Sequence, residues 1–175
     1  MKTLVVVLLL SVFVWGQNKP VDQGSMPSTE EVSELVAKAD EKVSSFEEAV
    51  KNAKPYLDKI EPKFTTNYLG GASTAHTIIR NLQKNGPSAY GLVSLLATLD
   101  DLSLDASAAS VQLLRTDEEH VTNGKRPDVG SLSSVILLGN ASTACNDIAE
   151  LVMHATLRFV DVEEKILDKL LEKEK

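Results

Sequence analysis

The groups in this chain able to move a proton, attack a carbon or hold a metal near neutral pH are few. His76, His120, His154 and Cys145 are all the imidazoles and thiols in 175 residues. Asp117 and His120, three apart, share one face of a helix, the spacing at which a carboxylate and an imidazole can hold a cation. Glu150 and His154, four apart, form a second such pair, so a composite site between two adjacent helices can be drawn. Di-metal bundles place Glu-x-x-His on two helices with further glutamates, and neither pair has that spacing. No metal and no cofactor is therefore expected. His76 stands one position from an apolar stripe, which gives it a capping or surface role.

Nucleophilic chemistry is equally thin. The chain has no Gly-x-Ser-x-Gly elbow and no His-Glu-x-x-His zinc pattern, the arrangements that expose a serine or seat a catalytic zinc. Gly70-Gly71 lacks the lysine and further glycines of a phosphate loop. No catalytic residue is assigned, and the chain is expected not to be an enzyme. One modification signal is present: Asn140-Ala141-Ser142 is an acceptor triplet for N-glycosylation. Its competing reading is a helix cap, with Asn140 satisfying free backbone donors at the start of the last helix.

These residues need an address and a scaffold. Met1 and Lys2 precede an apolar run from Leu4 to Trp15, with Val14 and Gly16 where a signal peptidase selects small side chains. About twelve apolar positions are too few for a membrane-spanning helix, which needs roughly 20. Residues 1–16 thus read as a signal peptide, 17–27 as a flexible leader with two prolines, and 28–175 as one domain. Loss of Lys2 takes the net charge from −7 to −8 and leaves scattered arginines at 80, 115, 126 and 158. That balance excludes nucleic acid, which is bound by clustered Lys and Arg. No transmembrane anchor is expected, and the protein reads as secreted and extracellular. With Cys145 alone, no intramolecular disulfide forms. Its place in an apolar stripe marks it as a small buried side chain, and the other reading, a bridge between chains, needs it exposed.

The scaffold is legible as heptads. Ser28 followed by Glu31 is a capping-box pattern. From Val32 through Val36, Ala39, Val43, Phe46, Val50, Ala53, Leu57 and Ile60 to Phe64, apolar residues alternate spacings of four and three, one stripe on a long helix. Pro55 predicts a kink or a new helix, and Pro62 weakens the end. Gly70-Gly71 is expected to break the chain, with Ser73 capping a shorter helix that Gly86-Pro87 ends. A second stripe runs from Leu92 and Leu95 through Leu99, Leu102, Ala106 and Ala109 to Leu113, with a local break allowed between Leu102 and Asp105. Asn123-Gly124 closes it, and Lys125 to Gly130 is a loop. A short apolar stretch, Leu132 to Leu138, precedes a bend at Gly139-Asn140. The third stripe follows: Ala141, Cys145, Ile148, Val152, Ala155, Phe159, Val162 and Ile166. The last helix, with Leu167, Leu170 and Leu171, is expected to pack into the bundle.

Long stripes joined by short loops predict an all-α fold, an antiparallel helical bundle of heptad-patterned helices kinked near Pro55 and Gly139. The function this suggests is a secreted, non-enzymatic, acidic binding protein, a glycoprotein if Asn140 is used, acting on an extracellular protein or ligand. An alternative is a carrier that holds a lipid or fatty acid between its helices, where Ala39, Ala53, Ala106, Ala109 and Ala155 leave room. The cysteine-poor, Ser- and Ala-containing heptads of the mid-chain also resemble, in pattern only, those of fungal secreted proteins that coat hydrophobic surfaces. That resemblance implies an interface-active, surface-coating role.

Overall fold

Ser28 starts the first helix as its neighbours dictate. Its hydroxyl accepts the Glu31 N–H at 3.1 Å while its own N–H donates to Glu31 Oε2 at 2.6 Å, so each side chain satisfies the other residue's otherwise orphaned backbone donor. In the computed structural model, which describes residues 25–61 and 63–173, that cap opens α1 (Thr29–Ile60), followed by α2 (Phe64–Asn85), α3 (Ala89–Thr122) and α4 (Val129–Lys173). The signal peptide at 1–16, the leader as far as residue 24, and Pro62 lie outside the described residues.

The four helices form an all-α bundle in which each packs on the next and α4 closes the ring against α1. Bonds between pairs of helices give their directions. Ser103 meets Ser142 and Ser110 meets Val135, so α3 and α4 run antiparallel. Asp40 meets His76 while Asp58 meets Thr65, which makes α1 and α2 antiparallel as well. Arg158 bonds Ser25 and Glu31 at one end of α4, and Gly130 lies against the Tyr56 hydroxyl at the other.

Three stripes fill one core. Val32 to Leu57 on α1, Leu92 to Leu113 on α3 and Ala141 to Phe159 on α4 are buried, Leu138 joins them from the stretch before, the expected Ile60, Phe64 and Val162 are only partly buried, and α2 adds Tyr68, Ala72, Ala75, Ile79 and Leu82. Five leucines of α3 are fully buried. At roughly 1.5–3 kcal/mol for each buried side chain, this stripe outweighs the weak helix propensity of Asp100, Asp101, Ser103 and Asp105. Accordingly α3 is continuous where a local break was allowed.

Several boundaries differ from the sequence reading. No new helix begins at Pro55: α1 continues to Ile60, because Pro55 faces solvent, where water can satisfy the carbonyl it leaves unpaired, while Ala53 and Leu57 keep the stripe on the core. The stripe does not run on to Phe64 in one helix. Glu61 is extended at φ −149°, and Phe64 instead opens α2 and stacks on Tyr68 with ring centroids 5.7 Å apart.

Gly70-Gly71 does not break the chain, and Ser73 is not a cap. Both glycines lie inside α2, and Ser73 accepts a mid-helix bond from Thr77. A Cβ on Gly71 would stand 3.0 Å from Leu102 Cδ2, so this glycine allows close approach of α2 to α3, and the packing outweighs a helix-interior cost of about 1 kcal/mol. The predicted stop at Gly86 is present, with φ +85° and its N–H donating to the Leu82 carbonyl.

α4 is also longer than expected. Asp128 Oδ1 accepts the Gly130 and Ser131 N–H groups, so the helix starts within the expected loop, and it runs through Gly139-Asn140 to Lys173 as one element. Its far end is a further correction. Arg158 marks the level at which α1 begins, and beyond it α4 outruns its neighbours; Ile166 and Leu167 are half exposed instead of packed into the bundle. The side chains of Leu170 and Leu171 lie outside the description.

Candidate functional site

The structure separates the residues that the sequence invited into one metal site. The register set by Ser103–Ser142 and Ser110–Val135 places Glu150 level with residue 95 of α3, some 22 residues from Asp117. At 1.5 Å per residue that is about 33 Å. Glu150 and His154 form an exposed pair at 3.8 Å, and His120 stays with Asp117 at the opposite end. Among the described residues, no group of three or more His, Cys, Asp or Glu is placed to hold a metal.

His76 is neither a cap nor a surface residue. Its Nδ1 lies 2.7 Å from Asp40 Oδ1 and its Nε2 lies 3.6 Å from Glu47 Oε1. Both carboxylates belong to α1, so the imidazole ties α2 to α1 through the Nδ1–Asp40 hydrogen bond, with Glu47 beyond hydrogen-bond distance of Nε2. Cys145 is fully buried in the core stripe, and burial pushes its thiol up to about 11. A bridge between chains needs an accessible sulfur, which the folded bundle does not offer.

Asn140 is solvent-exposed in mid-helix. It is therefore not a helix cap, because its backbone is already inside α4. The Ser142 hydroxyl of the same triplet points the other way and donates to the Ser103 carbonyl at 2.9 Å. The acceptor side chain is available in the fold, whereas the serine that completes the triplet is engaged.

Two surface features were not anticipated. The first is an open groove of about 570 Å³ between α1 and α4. Lys38, Glu41 and Lys42 line it from α1; Ile148 and Leu151 give it an apolar strip on α4, with Asn140, Thr143, Ala144 and Asp147 along the same helix. Lys42 pairs with Glu41 at 2.9 Å. The groove therefore sets Lys38 and the Lys42–Glu41 pair on one wall against an aliphatic strip flanked by Asp147 on the other.

The second feature is the outer face of α3 and α4. Leu104 is 68% exposed and Ile136 63%, with Val111, Leu114 and Leu132 also exposed. The signal was present in the sequence: Val129 to Asn146 contains no charged residue, although only one side of that helix enters the core. The face opposite the buried stripe carries Leu132, Ile136, Gly139 and Thr143. No described helix is long and apolar enough to cross a membrane. Comparison with protein-family models, with characterised proteins and with solved structures finds no match for this chain.

Proposed function

We propose that this chain is an extracellular, non-enzymatic binding protein whose α1–α4 groove takes an amphiphile with an anionic head. The observation that carries this reading is the juxtaposition of Lys38 and Lys42 with Ile148 and half-exposed Leu151 in that groove. Lys38 would meet a carboxylate or phosphate head, Lys42 would add to it by exchanging its Glu41 partner, and the aliphatic strip would cover part of a chain, with Asp147 setting the side on which the head does not sit. The site is an open groove at the surface and not an enclosed cavity in the core.

Titration of the secreted protein with long-chain fatty carboxylates and with the uncharged alcohols of the same chain length tests the reading. Carboxylates are expected to bind more tightly than alcohols, and Lys38→Glu with Lys42→Glu to weaken carboxylates about tenfold while leaving alcohols nearly unchanged, since exposed ion pairs contribute at most about 1 kcal/mol each. Equal binding of acid and alcohol, or no binding of either, overturns it. Turnover of any substrate, abolished by a single side-chain change, would overturn the non-enzymatic part.

A further inference from the structure

We propose that the outer face of α3 and α4 is a homodimer interface, and that its occupant is a second copy of this chain. The face is apolar and uncharged over its whole middle. On α4 no charge occurs from Val129 to Asn146, and on the outward side of α3 none occurs between Asp101 and Arg115; Asp105 is turned from this face and is half-buried. Nothing here selects a charged partner or repels an identical one, despite the acidic net charge.

The area fits. With Leu104 68% and Ile136 63% exposed, and Val111, Leu114 and Leu132 each about two-fifths exposed, the face offers on the order of 450 Å² of apolar surface per copy, within the range of functional patches. A stable interface buries about 800 Å² per partner, of which somewhat over half is apolar. The face alone supplies that apolar share.

The shape is self-complementary. The register of the Ser103–Ser142 and Ser110–Val135 bonds sets Leu104 level with the interval between Gly139 and Thr143, and Ile136 level with the interval between Ser107 and Val111. A twofold axis running along the helices keeps each level and lays α3 of one copy on α4 of the other. Leu104 then meets the Gly139–Thr143 notch, and Ile136 meets Ser107 and Ala108 beside Val111. Such alternation is what lets helix faces interdigitate, and a twofold contact uses each pairing twice.

Gly139 leaves the notch open. A Cβ there would meet nothing within 4 Å, so packing inside the protomer gives no reason for a glycine in mid-helix, where it costs about 1 kcal/mol relative to alanine. A close approach from outside would use that space, as Leu104 of a second copy does in the proposed contact. Beyond the face, Asp100, Asp101 and Asp147 at one end and Arg115 and Glu118 at the other form a polar rim.

Sedimentation equilibrium of the full secreted chain from about 1 to 200 µM, with circular dichroism as the control for folding, tests the proposal. The wild type is expected to be dimeric in the upper part of that range, and Leu104→Lys or Ile136→Lys to be monomeric with unchanged helicity. Gly139→Leu distinguishes a fitted second copy from general stickiness. It makes the face more apolar but fills the notch, so dimerisation should weaken at least tenfold while the protomer remains folded. A wild type monomeric throughout, or a Gly139→Leu chain that associates more strongly, overturns the proposal. So does a monomer that instead adsorbs to neutral lipid vesicles through this face. Thr143 borders both surfaces, but Lys38 and Lys42 lie on α1 and neither Leu104 nor Ile136 lines the groove, so the lysine variants report on amphiphile binding and the Leu104 and Ile136 variants on dimerisation.

Discussion

Ser103 and Ser142 face each other across the α3–α4 interface with their hydroxyls 3.1 Å apart, and each hydroxyl donates to the other residue's carbonyl, at 3.0 and 2.9 Å. Both carbonyls already accept helical bonds, so the pair adds a second bond to each and ties the two longest helices at one level. Each hydroxyl should contribute about 1 kcal/mol. Ser103→Ala and Ser142→Ala are expected to lower stability by that amount singly, with a coupling of about 0.5–1 kcal/mol in the double variant. Urea denaturation of the four proteins measures this, and variants indistinguishable from wild type would show that apolar packing alone holds the register.

This pair shows where sequence reading stops. The stripes were legible because burial repeats: Val36, Val43, Val50 and Leu57 recur at one side of a helix whatever lies opposite. The serines were not, because a serine between buried positions looks like any small polar residue until its partner, 39 positions away, is known. Gly70-Gly71 misled for a related reason. Two adjacent glycines are a strong local stop, and only the position of Leu102 explains a helix through them. The separation of Asp117–His120 from Glu150–His154 was hidden as well, since spacing within a helix says nothing of level between helices.

The two glycines of α2 should therefore respond oppositely to substitution. A Cβ at Gly70 would meet nothing within 4 Å, whereas one at Gly71 would stand 3.0 Å from Leu102 Cδ2. Gly70→Ala should gain roughly 0.5–1 kcal/mol from helix propensity alone. Gly71→Val should lose roughly 1–3 kcal/mol by forcing α2 away from α3. Thermal unfolding of each variant gives the sign, and equal shifts would mean that α2 is not held against Leu102.

Two carboxylates should give opposite pH dependence. Glu31 is held below its ordinary value of 4.5 chiefly by the Ser28 backbone N–H, with Arg158 adding attraction. Its stabilising contribution is present above 4.5 and disappears as pH falls through the lower folded value. Asp105 is raised above 3.8 by burial, with Asp101 adding repulsion, so its contribution is present below 3.8 and disappears as pH rises through the folded value. At pH 7, Glu31→Gln should then destabilise and Asp105→Asn should stabilise, the latter by less than about 1 kcal/mol. Both differences should shrink toward pH 3. Urea midpoints across that range measure them, and an Asp105→Asn gain that persists at pH 3 would assign the effect to something other than ionisation.

Asp117 extends the core stripe of α3 one turn past Leu113, yet it is a carboxylate, 6% exposed, with no hydrogen-bond partner for Oδ2 among the described residues. An unpaired buried acceptor costs about 1–3 kcal/mol, and nothing in the fold returns that cost. Asp117→Leu continues the stripe with a side chain of similar size and should raise stability by an amount in that range. Asp117→Asn removes the charge but leaves a polar group to satisfy, so its gain should be smaller. The order Leu above Asn above Asp in urea midpoint is the expected result. The reverse order would mean that Asp117 has a donor the isolated chain lacks, supplied by a bound cation or by another molecule at this end of the bundle.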